Sequence, residues 1–372
     1  MSAVGPAASK SALTPPDYGH VSQTVRTTLP LKSTLAALTP LAGDASNRRY
    51  FRVHLTGGRL SSAILMQLAE PEAFKASEEA VSGAVPATTE LPFLNVLRHL
   101  EHAGTPVPAL YHYDVAAGLL YLEDFGDMTL AEAAQKGSPD ERASLYRDAI
   151  DTLVEIHVRA SADSEDGCVA FARSFDVPLL MWEFDHFIEY GVVARNGAPL
   201  PEADMGAIRG ECQKICDVMA AQSRVFTHRD YHSRNLMVRA QPVKGSRLGV
   251  IDFQDALMGP AAYDLASLLR DAYIALEEEL VDELVARYLE SLAKYGLNVS
   301  DRRAFRQVFD FTSIQRNLKA AGRFVYIDRV KGNPKFLADI PRVLNYVKRN
   351  LARYPELAVL RKHLTPHVPE LQ

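Results

Sequence analysis

The sequence predicts an α+β chain with two lobes, a small β-rich N-terminal lobe at 31–126 and a larger helical C-terminal lobe at 127–372. Short strand-like runs bounded by turn residues lie mainly in the first of these ranges. From Thr129 onward the apolar residues recur mainly at the spacing of amphipathic helices. With 372 residues, the chain is long enough to bury a sizeable core in two packed lobes.

The chain begins with a segment, residues 1–30, that has no apolar signal-peptide core and almost no periodic hydrophobicity. We therefore expect a disordered extension there. Residues 31–39 resemble a short opening helix. The small residues of Gly43-Asp44-Ala45-Ser46 then predict a turn before a strand at 49–53.

The remainder of the N-terminal lobe is predicted as strands with one helix. Gly57-Gly58 marks a hairpin tip that leads to a strand at 62–67. Helical spacing covers 93–100, and two further strands follow at 109–113 and 119–122.

The C-terminal lobe is predicted as a series of helices interrupted by short strands. The predicted helices lie at 142–157, 179–188, 263–296 and 301–325. A strand at 224–227 and a hairpin of 236–238 with 248–251 interrupt them. Beyond Leu364 we expect a loose tail.

The composition argues against several classes of function. The net charge is −5 and no basic stripe is visible, which argues against a nucleic-acid partner. No run of about 18 apolar residues occurs, so no membrane span is predicted. Cys168, Cys212 and Cys216 complete no metal site and fit free thiols in a reducing cytoplasm. We expect a cytoplasmic monomer that acts on a small molecule.

One arrangement of residues points to a specific chemistry. The segment His228-Arg-Asp-Tyr-His-Ser-Arg-Asn235 follows a strand-like run, and Asp252 ends a second apolar run. An Asp, an Asn five residues later and an Asp on a strand end are typical of ATP-dependent phosphoryl-transfer sites. Asp230 is the predicted catalytic residue, since a carboxylate must accept the proton of the attacking hydroxyl. Asn235 and Asp252 would supply oxygen ligands to the Mg²⁺ that accompanies ATP.

Two neighbouring residues have structural interpretations, and a third is assigned to the substrate. Asp264 follows the turn Gly259-Pro260 and opens a helix, and we expect a buried acceptor that braces the catalytic loop. His228 is interpreted as a second loop-bracing residue. His232 is assigned to the substrate side, with a hydrogen-bonded structural histidine as the alternative.

Three segments together resemble the aminoglycoside phosphotransferase and choline kinase-like family. They are Thr227 to Met237, Val250 to Ala256 and Gly259 to Ala266. Within the family, the chain is most similar to the bacterial anomeric kinases of N-acetylmuramate and N-acetylglucosamine, which serve cell-wall (peptidoglycan) recycling. Four more segments support this narrower resemblance: 42–52, 119–126, 182–187 and 315–324. The resemblance covers about residues 32–350 and implies a two-lobed protein-kinase-like fold.

The resemblance also implies where ATP binds. The turn that ends at Ser46 would close over the phosphates, and Arg49 lies on the adjoining strand. The backbone near Glu123 and Phe125 would contact adenine at the hinge between the lobes.

The chain departs from the kinase pattern at one position. Kinase-like folds usually carry a phosphate-binding Lys on the third strand, whereas Met66 or Gln67 occupies the expected place here. A guanidinium from Arg48, Arg49 or Arg52 would then supply the missing positive charge.

Substrate contacts are predicted on two helical segments. Glu183 and His186 interleave polar groups with an apolar face that also carries Trp182, the single Trp of the chain. A sugar pocket needs such groups to pair with hydroxyls. On the later helix, Arg316 is the predicted partner of a lactyl carboxylate or a phosphate, with a solvated helix face as the alternative.

Three alternative functions stay open at the level of sequence. An acidic pocket would favour an aminoglycoside, choline or another amino alcohol as the acceptor. A protein kinase is disfavoured, because Gly259 lies only seven positions after Asp252, which leaves no room for an activation loop. A nucleotide-binding scaffold without activity is favoured by the missing Lys and opposed by the presence of Asp230, Asn235 and Asp252.

Overall fold

The computed structural model describes residues 15–29, 33–41, 48–68, 90–162, 167–243, 246–297 and 299–372. The described chain divides into two compact units. The smaller unit contains the described residues up to 68 together with Pro108–Asp124, and the larger contains those from 90 to 107 together with Phe125–Gln372. The α+β class is confirmed. Residues 90–107, 125 and 126, which the prediction places in the N-terminal lobe, belong to the larger unit in this division.

The smaller unit consists of a helix and a five-stranded antiparallel sheet. Helix α1 (Tyr18–Thr27) precedes β1 (Thr34–Leu41), β2 (Arg49–Thr56), β3 (Ser62–Gln67), β4 (Leu110–Asp114) and β5 (Leu119–Leu122), in the sheet order β1-β2-β3-β5-β4. Alternate residues of β2, namely Phe51, Val53 and Leu55, are buried in one cluster with Val21 and Val25 of α1. This alternation buries one face of the sheet beneath the helix.

The prediction of a disordered extension is wrong for the residues of α1. Asp17 caps this helix, and Val21 and Val25 are both 0% exposed. The four-residue spacing of these valines, continued by the buried Leu29, is the apolar stripe of a helix that docks on a core. The predicted disorder of residues 1–14 concerns positions outside the described residues.

The prediction of a helix at 31–39 is also wrong, because most of this segment belongs to strand β1. Its register with β2 runs from Thr34↔Thr56 to Leu41↔Tyr50. Pairing with β2 overrides the helical propensity of the alanines in this segment. Pro40 is tolerated because β1 lies at the edge of the sheet.

The larger unit is mainly helical. Its α-helices are α2 (Pro92–His102), α3 (Leu130–Lys136), α4 (Pro139–Glu155), α5 (Val177–His186), α6 (Glu202–Ala220), α7 (Ala262–Leu269), α8 (Glu278–Ala293), α9 (Arg302–Lys331), α10 (Ile340–Arg353) and α11 (Ala358–Leu364). Two π-helical segments, Ile156–Ala160 and Phe187–Ala194, extend α4 and α5. Short 3₁₀ turns lie at Val169–Ala172, Pro334–Asp339, Pro355–Leu357, Thr365–His367 and Pro369–Leu371.

Two small antiparallel sheets interrupt these helices. Strand β6 (Arg224–Thr227) pairs with β9 (Leu257–Pro260), and β7 (Leu236–Val243) pairs with β8 (Ser246–Val250). The predicted strand and hairpin are therefore confirmed, with β9 as an additional strand.

Helix α9 packs closely against the π-helical segment that follows α5. A Cβ atom added at Gly322 of α9 would lie 2.6 Å from the Cα of Phe187, closer than real Cβ atoms approach a backbone. The missing side chain therefore lets the two helices approach each other. This close approach brings polar residues of α5 and α9 together beside the loop that follows β6.

The end of the chain is packed, so the prediction of a loose tail is wrong. Val368 is 1% exposed and Leu371 is 4% exposed. Glu370 accepts hydrogen bonds from the guanidinium of Arg195, one of them at 3.0 Å. The apolar residues at 368 and 371 supply the burial that a tail needs to dock.

The three cysteines are free, as predicted, and all three are buried. Among the helices of the described residues, none is long and apolar enough to cross a bilayer.

Candidate active site

Strand pairing brings the predicted reaction residues to one place. The loop from β6 to β7 contains Asp230 and Asn235, and Asp252 lies just beyond the end of β8. The pairing of β7 with β8 begins at Leu236↔Val250. Because this register sets the start of β7 beside the end of β8, Asn235 lies beside Asp252.

The Asn235 side chain connects the backbone of Asp230 with the side chain of Asp252. Asn235 donates through Nδ2 to the backbone carbonyl of Asp230 at 2.9 Å, and the same nitrogen lies 3.4 Å from Asp252 Oδ2. Asn235 is 9% exposed, Asp230 is partly buried and Asp252 is exposed. From solvent inward, the site therefore presents the carboxylate of Asp252, then that of Asp230, and then the amide of Asn235.

Two residues of the site adopt the left-handed backbone conformation. Arg229 has a φ of 75° and Asp252 a φ of 65°. For residues other than glycine, this conformation costs about 1–3 kcal/mol each and persists where surrounding contacts over-determine it. Strain of this kind concentrates at functional sites.

Asp264 supplies some of these contacts. Its carboxylate is 0% exposed and accepts hydrogen bonds from the backbone N–H groups of His228, at 2.6 Å, and Arg229, at 2.9 Å. His157 Nε2 lies 3.4 Å from the same carboxylate. His228 Nε2 lies 3.0 Å from the carbonyl oxygen of Ile251, which connects the loop to the residue before Asp252. Asp264 and His228 therefore lie where bracing of the loop was predicted.

A second buried carboxylate, Glu183 of α5, lies beside the same loop. Its oxygens accept from Lys319 Nζ at 2.6 Å, Gln315 Nε2 at 2.7 Å, Arg229 Nη2 at 3.2 Å and Tyr263 Oη at 3.4 Å. Glu183 is 1% exposed. One buried anion therefore holds two cations, from the loop and from α9, in a fixed arrangement.

The electrostatic environment favours the ionised form of Asp230. Burial by itself raises the pKa of this carboxyl, but nearby positive charges outweigh burial and hold its pKa well below the usual range. Those charges belong first to Lys319 and then to Arg316 and Arg229, and His232 adds to them when its ring is protonated. Asp230 is therefore a carboxylate at neutral pH, as a proton acceptor must be.

The geometry corrects the predicted substrate role of Glu183. This side chain is buried and both oxygens accept hydrogen bonds from protein donors, so a substrate hydroxyl has no access to it. His186 is also buried, at 7% exposure, and it packs among aromatic rings one helical turn from Glu183. Burial, followed by the charge of Arg323, lowers the pKa of His186 to about 4, so the ring is neutral.

The remaining two substrate candidates lie beside the catalytic loop. His232 is partly buried, its Nε2 lies 3.5 Å from Asn235 Nδ2, and burial lowers its pKa. Arg316 donates through Nη1 to the carbonyl of Arg229 at 2.7 Å, and its guanidinium lies 4.6 Å from the ring centre of Tyr263. Arg316 therefore adjoins the residue that precedes Asp230.

The structure describes only some of the predicted ATP-binding positions of the smaller unit. Ser46 lies outside the described residues. Arg49 begins β2, and its guanidinium lies 5.2 Å from the ring centre of Phe51. Met66 is 0% exposed and pairs with Tyr50 and Leu120, so no cation occupies this position of β3.

Three more residues belong to the predicted nucleotide site. Arg52, an alternative source of positive charge, forms a two-point ion pair with Asp124, at 2.7 Å and 3.2 Å. Glu123 follows β5, and its carboxylate accepts from the N–H of Ala109 at 3.2 Å. Phe125 belongs to the larger unit, where its ring fills the space that a side chain at Gly249 would need.

The position of Lys319 beside Glu183 could not be predicted from the local sequence. The cluster of Gln315, Arg316 and Lys319 is visible in the sequence, but Glu183, the shared partner of Gln315 and Lys319, lies 132 residues before Gln315. A buried ion pair between such distant segments leaves no local pattern. The spacing of Gln315 and Lys319, four residues apart on one helix, indicates only that both side chains lie on one face.

A strand-rich small unit, a helical large unit and this Asp, Asn and Asp arrangement define a phosphotransferase of the kinase-like class. The model of the phosphotransferase enzyme family matches residues 37–305, and the chain belongs to this family. It is 35% identical over 326 residues to an N-acetylmuramate/N-acetylglucosamine kinase of Neisseria meningitidis, covering 87% of this chain and 88% of that one. It is 32% identical over 330 residues to a protein of the same name from Pseudomonas aeruginosa, with 87% of each chain covered.

Solved structures support the fold assignment. A choline kinase from Streptococcus pneumoniae superposes with a TM-score of 0.59 at 15% identity, covering 90% of this chain and 99% of that one. An ADP-bound aminoglycoside phosphotransferase gives a TM-score of 0.54 at 14% identity, covering 88% and 96%. The predicted two-lobed kinase-like fold is therefore confirmed.

Proposed function

We propose that the chain transfers the terminal phosphoryl group of ATP, with Mg²⁺, to the anomeric hydroxyl of N-acetylmuramate or N-acetylglucosamine. The observation that carries this proposal is a partly buried Asp230 carboxylate, kept ionised by surrounding cations beside Asn235 and Asp252. The names of relatives that match across most of the chain supply the substrate class.

Asp230 would orient the sugar hydroxyl and accept its proton as the oxygen attacks phosphorus. A carboxylate with a low pKa is a weak base, so it works best on a comparatively acidic hydroxyl. The anomeric hydroxyl of a reducing sugar is more acidic than an ordinary alcohol, which suits this base. Phosphoryl transfer itself depends mainly on positioning and charge neutralisation.

Asn235 and Asp252 fit a magnesium site. Mg²⁺ prefers oxygen ligands and binds through one or two protein groups, with waters and substrate phosphates completing its shell. The carboxylate of Asp252 is exposed, and the amide nitrogen of Asn235 bonds the loop carbonyl, which leaves the amide oxygen as its ligand atom. When bound, the metal would neutralise phosphate charge during transfer.

The charges around Asp230 favour a neutral or anionic acceptor. Arg229, Arg316 and Lys319 are close enough to lower the pKa of this carboxyl. A cationic acceptor such as choline or an aminoglycoside would meet like charge there, which costs binding energy. This supports an N-acetylated sugar, in which the amine is blocked and uncharged.

The test is a coupled ADP-release assay with Mg²⁺-ATP and four acceptors: N-acetylmuramate, N-acetylglucosamine, choline and kanamycin. We expect turnover with the two amino sugars, and an Asp230→Asn variant about 10³-fold slower because it has no base. Asp217→Asn is the matched control. Asp217 is an exposed residue of α6 bonded to Gln213 at 2.8 Å, and the change should leave kcat unaltered.

Each other outcome points to a different function. Turnover with choline or kanamycin alone would keep the chemistry and reject the sugar substrate. Binding of ATP without turnover of any acceptor would favour the scaffold. Equal activity of Asp230→Asn and the wild type would remove Asp230 from the reaction.

A further inference from the structure

Helix α9 carries a line of polar and aromatic side chains that begins at the catalytic loop. Arg316, Lys319, Arg323 and Tyr326 are spaced by three, four and three residues, which places them on one face of the helix. All four are partly buried. With a rise of 1.5 Å per residue, Arg323 lies about 10 Å further along the axis than Arg316.

The first two residues of this line belong to the catalytic site. Arg316 holds the carbonyl of Arg229 at 2.7 Å, and Lys319 pairs with Glu183 at 2.6 Å. Both have partners in the loop or in the buried network that supports it. These two cations are therefore committed to positioning, which argues against Arg316 as the main partner of a substrate carboxylate.

The far end of the line lies in an aromatic cluster, defined as Trp182, His186, Tyr190 and Tyr326. The ring of His186 stacks on Trp182, with ring centres 6.0 Å apart and planes inclined by 13°. Tyr190 and Tyr326 meet edge to face at 5.0 Å, and each contacts His186. Trp182, Tyr190 and Tyr326 are partly exposed, so the cluster presents ring surface to solvent.

Arg323 brings a positive charge to this cluster. Its guanidinium lies 4.8 Å from the ring centre of Tyr326. Tyr326 follows Arg323 by three residues, and helical side chains lean toward the N-terminus, so the tyrosine ring covers the turn that carries the arginine. The histidine of the cluster is neutral, because burial lowers its pKa to about 4. The guanidinium therefore lies against the ring of Tyr326 and close to a neutral histidine ring.

We propose that Arg323 and the aromatic cluster form a subsite for the carboxylate and the apolar ring face of an acidic N-acetyl sugar. This inference rests on the proposed function and deepens it. N-Acetylmuramate differs from N-acetylglucosamine by a lactyl ether that bears a carboxylate. A guanidinium binds a carboxylate through two parallel hydrogen bonds, and aromatic rings pack against the C–H face of a sugar. Arg323 is thus the residue that distinguishes the acidic from the neutral sugar.

Arg323→Gln should separate the two sugars in steady-state kinetics. We expect kcat/KM for N-acetylmuramate to fall about 30-fold, within the range for losing a charged hydrogen-bond partner. The value for N-acetylglucosamine should change less than about twofold. Arg323→Lys should recover part of the loss, because charge returns without the two-point geometry.

The matched control is Arg329→Gln on the same helix. Arg329 is exposed and lies 3.7 Å from the carboxylate of Asp328, so the change removes the same charge away from the cluster. Both kcat/KM values should stay at the wild-type level. Equal losses for the two sugars in Arg323→Gln would overturn the proposal, since they would mean a structural role. Unchanged kinetics would overturn it as well.

Direct binding distinguishes failure of the subsite from failure of the proposed function. Trp182 is the single Trp of the chain, so its fluorescence reports on the aromatic cluster alone. We expect N-acetylmuramate to change this signal, with a Kd about 30-fold weaker in Arg323→Gln. Such binding without turnover would retain the subsite and reject the kinase activity on this sugar. Turnover with an unchanged signal at saturating sugar would retain the activity and reject the subsite.

Discussion

Asp264 and Glu183 are both buried carboxylates beside the catalytic loop, yet they hold it in different ways. Asp264 accepts two backbone N–H groups, from His228 and Arg229. Glu183 accepts side-chain donors, including the guanidinium of Arg229 and the ammonium of Lys319. The first therefore fixes the path of the backbone, whereas the second fixes the charges that surround Asp230.

This difference separates the contacts that join residues close in sequence from the contacts that join distant segments. The Asp264 contact joins the loop to a helix that begins shortly after the reaction residues, so one short stretch of sequence contains both partners. The Glu183 contacts join α5, the loop and α9, which meet only in the folded chain. Substitution of Asp264 should therefore remove support from the loop backbone, whereas substitution of Glu183 should leave cations without their counter-charge.

The largest effect is expected for Asp264→Ala. This change leaves two buried N–H groups without acceptors, at about 1–3 kcal/mol each, and we expect a loss of about 4 kcal/mol of unfolding free energy. Urea denaturation measures it. Asp264→Asn is the comparison, since one amide oxygen replaces one of the two acceptors, and it should lose about half as much. A loss below about 1 kcal/mol in the alanine variant would show that Asp264 does not hold the loop.

A smaller effect is expected for Glu183→Gln. Removing this anion leaves the buried Arg229 and the partly buried Lys319 without their counter-charge, and we expect a loss of about 3 kcal/mol. Adding Lys319→Met removes one of these cations. The double variant should be more stable than the sum of the single losses predicts, by about 1 kcal/mol or more.

Additive losses in this double-mutant cycle would contradict the ion pair of Glu183 with Lys319. A matched cycle on the surface pair of Arg147 and Glu283 should give less than about 1 kcal/mol, because both side chains are well exposed.

The smallest effect concerns pH and His186, which lies one turn beyond Glu183. Burial lowers its pKa from 6.5 to about 4, so the unfolded chain binds a proton over this interval and the folded chain does not. Stability should be complete above about pH 6.5 and should fall as the pH drops toward 4. The expected loss at pH 5 is about 2 kcal/mol.

His186→Phe keeps an aromatic ring and removes the titrating group. The pH dependence between 6.5 and 5 should be weaker in this variant when unfolding is measured at both pH values. An identical pH dependence in the variant and the wild type would show that His186 does not titrate as its burial implies.

Much of the fold and the centre of the site could be predicted because their signals are local. Asp230, Asn235 and Asp252 lie between apolar strands at a spacing that strand pairing converts into proximity. The helix at Val21 and Val25 was missed because its stripe is short and surrounded by polar and small residues. Strand β1 was missed because pairing with β2, and not its own composition, decides its conformation.

The surroundings of the site were harder to predict. Glu183 was assigned to the substrate because its sequence neighbours are apolar, whereas in the fold four donors surround it. The packing of the C-terminal residues depends on distant partners such as Arg195, which lies 175 residues before Glu370. Contacts of this kind depend on how helices pack, which no short window of sequence specifies.

The left-handed backbone at Arg229 and Asp252 has a consequence for laboratory evolution. Glycine adopts this conformation without the steric penalty that a side chain incurs. A library selected only for survival of heat would therefore enrich Asp252→Gly, because Asp252 is exposed and the change relaxes the backbone there. Arg229→Gly would not be enriched, because it would also remove the buried partner of Glu183. Thermal stability and turnover are therefore opposed at Asp252, so a screen for a more stable enzyme must measure product as well as survival.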